Sequence, residues 1–238
     1  MNLSPDNIPA ADLTLLLKKH MSEMGPVTSL DLNAANVTRL DFSAANPLLT
    51  LENLQNTQTF TEVVNRMLRE KAAEVGVGGY LEHRVIYRRS GLFNELSEAR
   101  SLHLGIDIWA PAGTTVFSPL PAVVHSFQDN ANFGDYGPTI ILQHQLDGIS
   151  FYTLYGHLNR ASLQNLETGK VIAKSEKIAE FGPYPENGDW PPHLHFQVMA
   201  DLQGLSGDYA GVCKPSEKEI FAAICPNPNL ILQSRHLT

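Results

Sequence analysis

Residues 192–199 read PHLHFQVM, and the alternation within this stretch decides the fold of the central part of the chain. Apolar residues recur at every second position from Leu194, and the positions between them begin with His193 and His195. A period of two is the pattern of a β-strand that has one apolar face. The strand therefore presents two histidines on the same face, with Cα atoms roughly 6–7 Å apart.

Short β-branched or aromatic segments recur from residue 80 onward. They are bounded by Gly, Pro, Asn or Asp, and no helical pattern separates them, which is typical of an antiparallel sheet or sandwich. The predicted strands are residues 80–88, 106–109, 115–117, 122–127, 139–143, 149–154, 178–181 and 194–199.

The first 79 residues have a different pattern. Helices are predicted over residues 11–20 and 59–75, and short strands over 28–32 and 37–42. The longer helix has Thr59 and Glu62 as a capping box and Gly76 as its stop. A last helix is predicted over residues 215–224, with Ser216 and Glu219 as a second capping box.

These patterns predict a mainly β fold with a helical lead-in, α+β overall, in which an antiparallel sheet or sandwich forms a groove. We expect three parts. Residues 1–79 form a helical and irregular lead-in, residues 80–200 form the β-rich domain, and residues 201–238 form a C-terminal tail with one short helix.

Composition excludes several classes of function. The net charge is -8, from 17 Lys+Arg against 25 Asp+Glu, and no basic patch is visible, so we expect no nucleic-acid partner. No apolar stretch approaches the ~18–20 residues of a membrane span. No secretion signal is visible, which favours a cytoplasmic location unless a leader has been removed. Cys213 and Cys225 form no CxxC pair, which excludes a disulfide scaffold. The oligomeric state stays open.

Six of the nine histidines lie between residues 103 and 195. In the motif HLGID at 103–107, Gly105 lets the chain bend so that His103 and Asp107 can share one ion. These two residues and one of His193 and His195 supply three N/O ligands and leave a fourth position for water. That count is typical of a catalytic zinc site. The residues alone leave open whether His193 or His195 is the ligand.

Four motifs, taken in order, resemble one known family. They are HLGID at 103–107, APAGTTV at 110–116, GHL at 156–158 and HLHF at 193–196. Their order and spacing resemble the lysostaphin-type (LytM-like) zinc metallopeptidases, which are endopeptidases of bacterial cell-wall peptides. The resemblance covers roughly residues 100–199.

The resemblance implies a complete site. Zn²⁺ would be held by His103, Asp107 and His195, with His193 as the catalytic base and His157 as its partner at the transition state. The implied function is a zinc-dependent metalloendopeptidase that hydrolyses peptide bonds in peptidoglycan through a metal-activated water, with peptides or peptidoglycan fragments as substrates.

The sequence departs from this family around the last motif. Residues 182–192 replace the usual Gly/Ser/Thr-rich loop, and within them Tyr184 and Trp190 are predicted to line the substrate groove. Gln197 stands where a Glu is common, which predicts the loss of a carboxylate behind the ligands.

Two segments, 182–197 and 225–232, are similar to a lysostaphin-like domain of large cytoplasmic fusions, where it lies between kinase-like and class III aminotransferase domains. Two alternatives therefore stay open. One is a cytoplasmic zinc hydrolase of a small amide or amine metabolite, and the other is a non-catalytic zinc-containing binding module.

Overall fold

The computed structural model describes residues 10–90 and 98–237, and twelve strands lie in this part of the chain. The strands are β1 (Val37–Leu40), β2 (Val75–Gly78), β3 (Leu102–His103), β4 (Ile106–Trp109), β5 (Thr115–Phe117), β6 (Ala122–Asn130), β7 (Gly137–Leu146), β8 (Ile149–Gly156), β9 (Val171–Ile172), β10 (Lys177–Glu180), β11 (His193–Met199) and β12 (Val212–Cys213). The α-helices are α1 (Ala10–Lys19), α2 (Leu51–Gln55), α3 (Thr57–Glu70), α4 (Lys218–Ala222) and α5 (Asn229–Leu232). Short 3₁₀ helices cover Met21–Glu23, Ile86–Arg89, Arg160–Leu163, Pro215–Glu217 and Arg235–Leu237.

One eight-stranded sheet organises the molecule, in the order β1-β2-β4-β11-β8-β7-β6-β9. Every neighbouring pair is antiparallel except β1 and β2, which run parallel. Two small two-stranded sheets, β10-β5 and β12-β3, complete the described strands. The predicted mainly β fold with a helical lead-in is confirmed. The sheet is mixed rather than wholly antiparallel, because the lead-in adds a parallel pair to its edge.

Two predicted strands are wrong. Residues 80–88 form turns and then the 3₁₀ helix, because Leu81 has a φ of +55°, which interrupts an extended chain. Residues 28–32 hold only an isolated bridge between Thr28 and Val116. The other predicted strands are present, several of them longer than predicted.

The predicted helix boundaries need correction at two places. Asn56, rather than a Thr59–Glu62 box, caps α3, since its side-chain oxygen accepts hydrogen bonds from the backbone N–H groups of Gln58 and Thr59. The helix ends at Glu70, and Gly76 lies within β2. A Cβ on Gly76 would clash with the Leu40 side chain, so close packing between strands explains this glycine.

The C-terminal helix also differs from its prediction. It is divided into a 3₁₀ turn over Pro215–Glu217 and the short α4. The Glu217 carboxylate accepts a hydrogen bond from the Lys214 backbone at 3.1 Å, so the predicted Ser216–Glu219 capping box is wrong.

Apolar residues of the lead-in and the tail pack into the core of the β-sheet. Leu13 and Leu17 of α1 and Ile231 of α5 share a cluster with Phe151 and Phe196 of the sheet. A second cluster joins Phe60 of α3 to Trp109 at the end of β4. The three-part domain division stays a prediction. Among the described residues, no helix has the length and apolar character needed to cross a bilayer.

Candidate metal centre and active site

Three side chains converge at the junction of β3, β4 and β11. His195 lies directly opposite Asp107 in the register of β11 with β4, and His103 reaches them from the end of β3. His103 Nε2 and His195 Nδ1 each lie 3.1 Å from Asp107 Oδ1, and the two nitrogens are 2.9 Å apart. All three residues are buried. The sheet register therefore creates a compact triangle of one oxygen and two nitrogens.

The hydrogen bonds behind the two histidines suit this triangle to a metal ion. His103 Nδ1 lies 3.1 Å from the Gly79 carbonyl oxygen, and His195 Nε2 lies 2.9 Å from Gln197 Oε1. Donation of an N–H to each acceptor leaves a lone pair on the ring nitrogen that faces the triangle. Zinc–ligand bonds of about 2.0–2.1 Å in a tetrahedron place ligand atoms roughly 3.3 Å apart. The donor set and its spacing therefore fit Zn²⁺.

Gln197 supplies the hydrogen-bond acceptor behind His195 at the position where a glutamate is common in the family that the motifs resemble. Its Nε2 donates to the Ala210 carbonyl at 3.1 Å, which fixes the amide so that its oxygen points at His195. The carboxylate is absent, as the sequence indicates. An amide oxygen nevertheless occupies the corresponding place and orients the imidazole.

His193 and His157 lie side by side next to the triangle, with ring centroids 4.1 Å apart. Nδ1 of His193 is 2.7 Å from the Pro191 carbonyl oxygen, and Nδ1 of His157 is 2.9 Å from that of Asn187. Donation of Nδ1–H in both residues leaves both Nε2 atoms as proton acceptors. The Trp109 ring stacks on His193 at 4.0 Å and holds it in one orientation.

Burial sets the charge of this histidine pair. It lowers the pKa of His193 to about 4 and that of His157 well below its usual value. Both rings are therefore neutral at pH 7, which is the state that a general base requires.

Four of the predicted site residues, Asp107, His157, His193 and His195, line a cavity of about 340 Å³, and His103 contacts two of them from behind its wall. His103, Asp107, His195, His193 and His157 are each at most 6% exposed, so the chemistry lies below the surface. Trp190 lines the cavity, whereas Tyr184 is 47% exposed and lies outside its walls. The structure thus brings together every predicted site residue except Tyr184. The roles of all of them stay predictions.

The sequence places Tyr136 near the motifs but gives it no role. Its hydroxyl lies 3.4 Å from His195 Nε2 on the cavity wall. Gly156 and Gly211 make room for it, because a Cβ at either position would clash with the phenol ring or its hydroxyl. The short segment DYGP at 135–138 offered no pattern that would have identified it.

Arg84 was missed, because residues 80–88 read as a strand. Its guanidinium contacts Asp107 Oδ2, the carboxylate oxygen that faces away from the two histidines. Burial would raise the pKa of Asp107, but His103 and Arg84 beside it hold that pKa well below its usual range. The carboxylate is therefore ionised at neutral pH, as a metal ligand must be.

Comparison with known proteins gives a family for the central part of the chain. Residues 101–206 match Peptidase family M23. No curated protein sequence matches the chain.

Solved structures similar to the chain include the catalytic domain of the antimicrobial peptidase lysostaphin from Staphylococcus simulans, at 22% identity over 52% of this chain and 84% of that one, with a TM-score of 0.36. The catalytic domain of the prophage-encoded M23 protein EnpA from Enterococcus faecalis is similar at 19% identity, over 52% of this chain and 83% of that one, with a TM-score of 0.36. A zinc-containing peptidase from Vibrio cholerae is similar at 24% identity, with a TM-score of 0.33; the match covers 44% of this chain and only 29% of that one. These sequence identities and TM-scores are too low to indicate a function for this chain.

Proposed function

We propose that this chain, in which residues 101–206 form a domain of peptidase family M23, is a zinc-dependent endopeptidase. The observation that carries the proposal is the convergence of His103 Nε2, His195 Nδ1 and Asp107 Oδ1 within 3.1 Å of one another, beside two neutral histidines. Motifs that resemble those of cell-wall endopeptidases make peptidoglycan peptides the first substrate class to test.

Zn²⁺ held by His103, Asp107 and His195 would supply Lewis acidity that makes hydroxide available near neutral pH. His193 is placed to remove the proton from the attacking water, because its Nδ1 is engaged by Pro191 and its Nε2 is free to accept. The protonated His193 can then give that proton to the departing amine, as microscopic reversibility of acid–base catalysis allows.

Two further groups act at the same wall of the cavity. His157 packs beside His193 and becomes a donor toward the cavity when it takes up a proton. The Tyr136 hydroxyl is a donor at every working pH, because burial holds its pKa well above its usual value. Either group suits the negative oxygen that develops when the peptide carbonyl is attacked.

One observation favours a second candidate function, the hydrolysis of a small amide or amine metabolite. The cavity is modest in volume, and its wall includes Ile86 and Tyr87, which lie outside the M23 match on its N-terminal side, and Val212, which lies outside it on the C-terminal side. A pocket with such walls suits a short substrate. The non-catalytic alternative has less support, because every expected ligand is present.

Mass spectrometry of zinc-loaded protein incubated with purified muropeptides, oligoglycine peptides and short amides tests the proposal. The matched variants are His193→Ala and His125→Ala; His125 lies in β6 and does not line the cavity. We expect wild type and His125→Ala to release the same fragment, and His193→Ala to be slower by roughly 100-fold or more. Full activity in His193→Ala would refute the assigned base. Cleavage of short amides alone would support the second function.

A further inference from the structure

A buried arginine stands directly behind the candidate metal ligand Asp107. The Arg84 side chain is wholly buried, and its Nη1 contacts Asp107 Oδ2. Its Nε donates to Glu82 Oε2 at 2.8 Å, and Nη1 lies 3.3 Å from the Tyr87 hydroxyl. One guanidinium thus joins the ligand to a second carboxylate and to a residue of the cavity wall.

The surroundings are shaped to hold this guanidinium. Gly78 approaches so closely that a Cβ there would clash with Arg84 Nη2. The Phe42 ring lies 5.2 Å from the guanidinium carbon, in the range of a cation–π contact. Burying an arginine without a partner is costly, and here two carboxylates compensate for that cost. The side chain is therefore held from several sides in one position.

That position affects how Asp107 can bind a metal. A free carboxylate offers two oxygens, but Arg84 engages Oδ2 and leaves Oδ1 to face His103 and His195. Because the guanidinium fixes the carboxylate in one orientation, Oδ1 stays turned toward the two histidines. A metal bound there would have three protein ligands and an open position, as a catalytic metal requires.

We propose that Arg84 is a positioning residue that holds Asp107 as a one-oxygen ligand of the metal. The inference rests on the metal site of the proposed function and extends it to a residue outside the segment 101–206 that matches the family. It makes the turn between β2 and β3 part of the metal centre. A purely structural ion pair would stabilise the fold but leave the metal's affinity and coordination unchanged.

Two variants separate these roles: Arg84→Met removes the charge, and Arg84→Lys keeps the charge but lacks the fork of donors. Arg160→Met is the matched control, since Arg160 forms an exposed pair with Asp129. Zinc affinity is measured by competition with a chromophoric chelator. Coordination is read from the visible absorption of the Co²⁺-substituted protein, which is strong for four ligands and weak for five or six.

We expect zinc affinity to fall roughly 10–100-fold in Arg84→Met, by less in Arg84→Lys and not at all in Arg160→Met. The Co²⁺ absorption should weaken in both Arg84 variants, because the released Oδ2 can add a ligand. If Arg84→Met does not fold, Arg84→Lys decides the question. A folded Arg84 variant with wild-type zinc affinity and Co²⁺ spectrum would overturn the inference.

The same titrations distinguish this inference from the proposed function. His195→Ala should abolish tight zinc binding. If the wild-type protein binds no zinc, or if His195→Ala binds zinc as tightly as the wild type does, the metal site itself is refuted. Zinc binding that requires His195 but is indifferent to Arg84 would defeat only the positioning role.

Discussion

Replacing Gly105 with alanine should weaken metal binding at the candidate site without replacing any of the three candidate ligands. Gly105 lies between His103 and Asp107, and a Cβ on it would be 2.6 Å from both Cε1 and Nε2 of His195 and 2.8 Å from the Phe196 carbonyl oxygen. Ordinary van der Waals contact begins at 3.4 Å. The backbone of β11 is fixed by its neighbours on both sides, so the imidazole would have to move by about 0.8 Å and the Gly105 backbone would have to shift away from the Phe196 carbonyl.

A shift of this size is large for a metal ligand. Ligand distances in working sites lie within about 0.2 Å of their ordinary values. The moved ring would also lose its 2.9 Å hydrogen bond to Gln197. We expect roughly 10–100-fold weaker zinc binding and about 100-fold lower kcat/KM, which corresponds to ~2.7 kcal/mol of transition-state stabilisation.

Chelator competition measures the zinc affinity of Gly105→Ala, and thermal unfolding of the metal-free protein measures its stability. Gly204→Ala is the matched control: its φ of +79° disfavours alanine, yet nothing lies near the new Cβ. The control should lose about 1 kcal/mol of stability and none of its zinc affinity. Wild-type zinc affinity in Gly105→Ala would refute the reasoning, because it would show that His195 can move without cost.

Two further predictions concern other buried groups. Burial lowers the pKa of His144 to about 4 from 6.5, so the stability that its neutral form contributes is present above pH 6.5 and lost as the pH falls toward 4. Between pH 7 and 4.5 the metal-free wild type should lose roughly 2–3 kcal/mol more of its free energy of unfolding, measured in urea, than His144→Gln does, and equal losses would contradict this. Gln197→Leu removes the acceptor for His195 Nε2 and should weaken zinc binding roughly 10–100-fold by calorimetry, whereas Gln197→Glu should keep it. Undiminished binding in Gln197→Leu would show that this hydrogen bond does not orient His195.

The strand that carries two site histidines was predictable because its pattern is local. Leu194 and Phe196 are buried on one face of β11, so His195 must lie on the other face. The pairing of His195 with Asp107 was not predictable from spacing, because 88 residues separate them and register depends on the whole sheet. The motif resemblance supplied the choice between His193 and His195 that periodicity could not make.

Gly105 is explained by a contact with a distant residue, which the local sequence does not reveal. From the sequence, this glycine was explained by a bend that brings His103 toward Asp107. In the structure its φ is not in the left-handed region, and the closeness of the His195 ring explains why no side chain fits. A contact with a residue 90 positions away leaves no local trace in the sequence. The same holds for Arg84, whose segment alternates like a strand but turns at Leu81.

The end of the lead-in pairs with the strand that carries Asp107 and contacts a candidate ligand directly. Gly78 of β2 pairs with Asp107 in the sheet, and the Gly79 carbonyl engages Nδ1 of His103. Arg84, from the turn that comes after β2, holds the outer oxygen of Asp107. Loss of these residues would expose the edge of β4 and remove the groups that orient two of the three ligands. The segment that matches the family contains the three candidate ligands, and the residues before it supply hydrogen bonds and an ion pair to two of them.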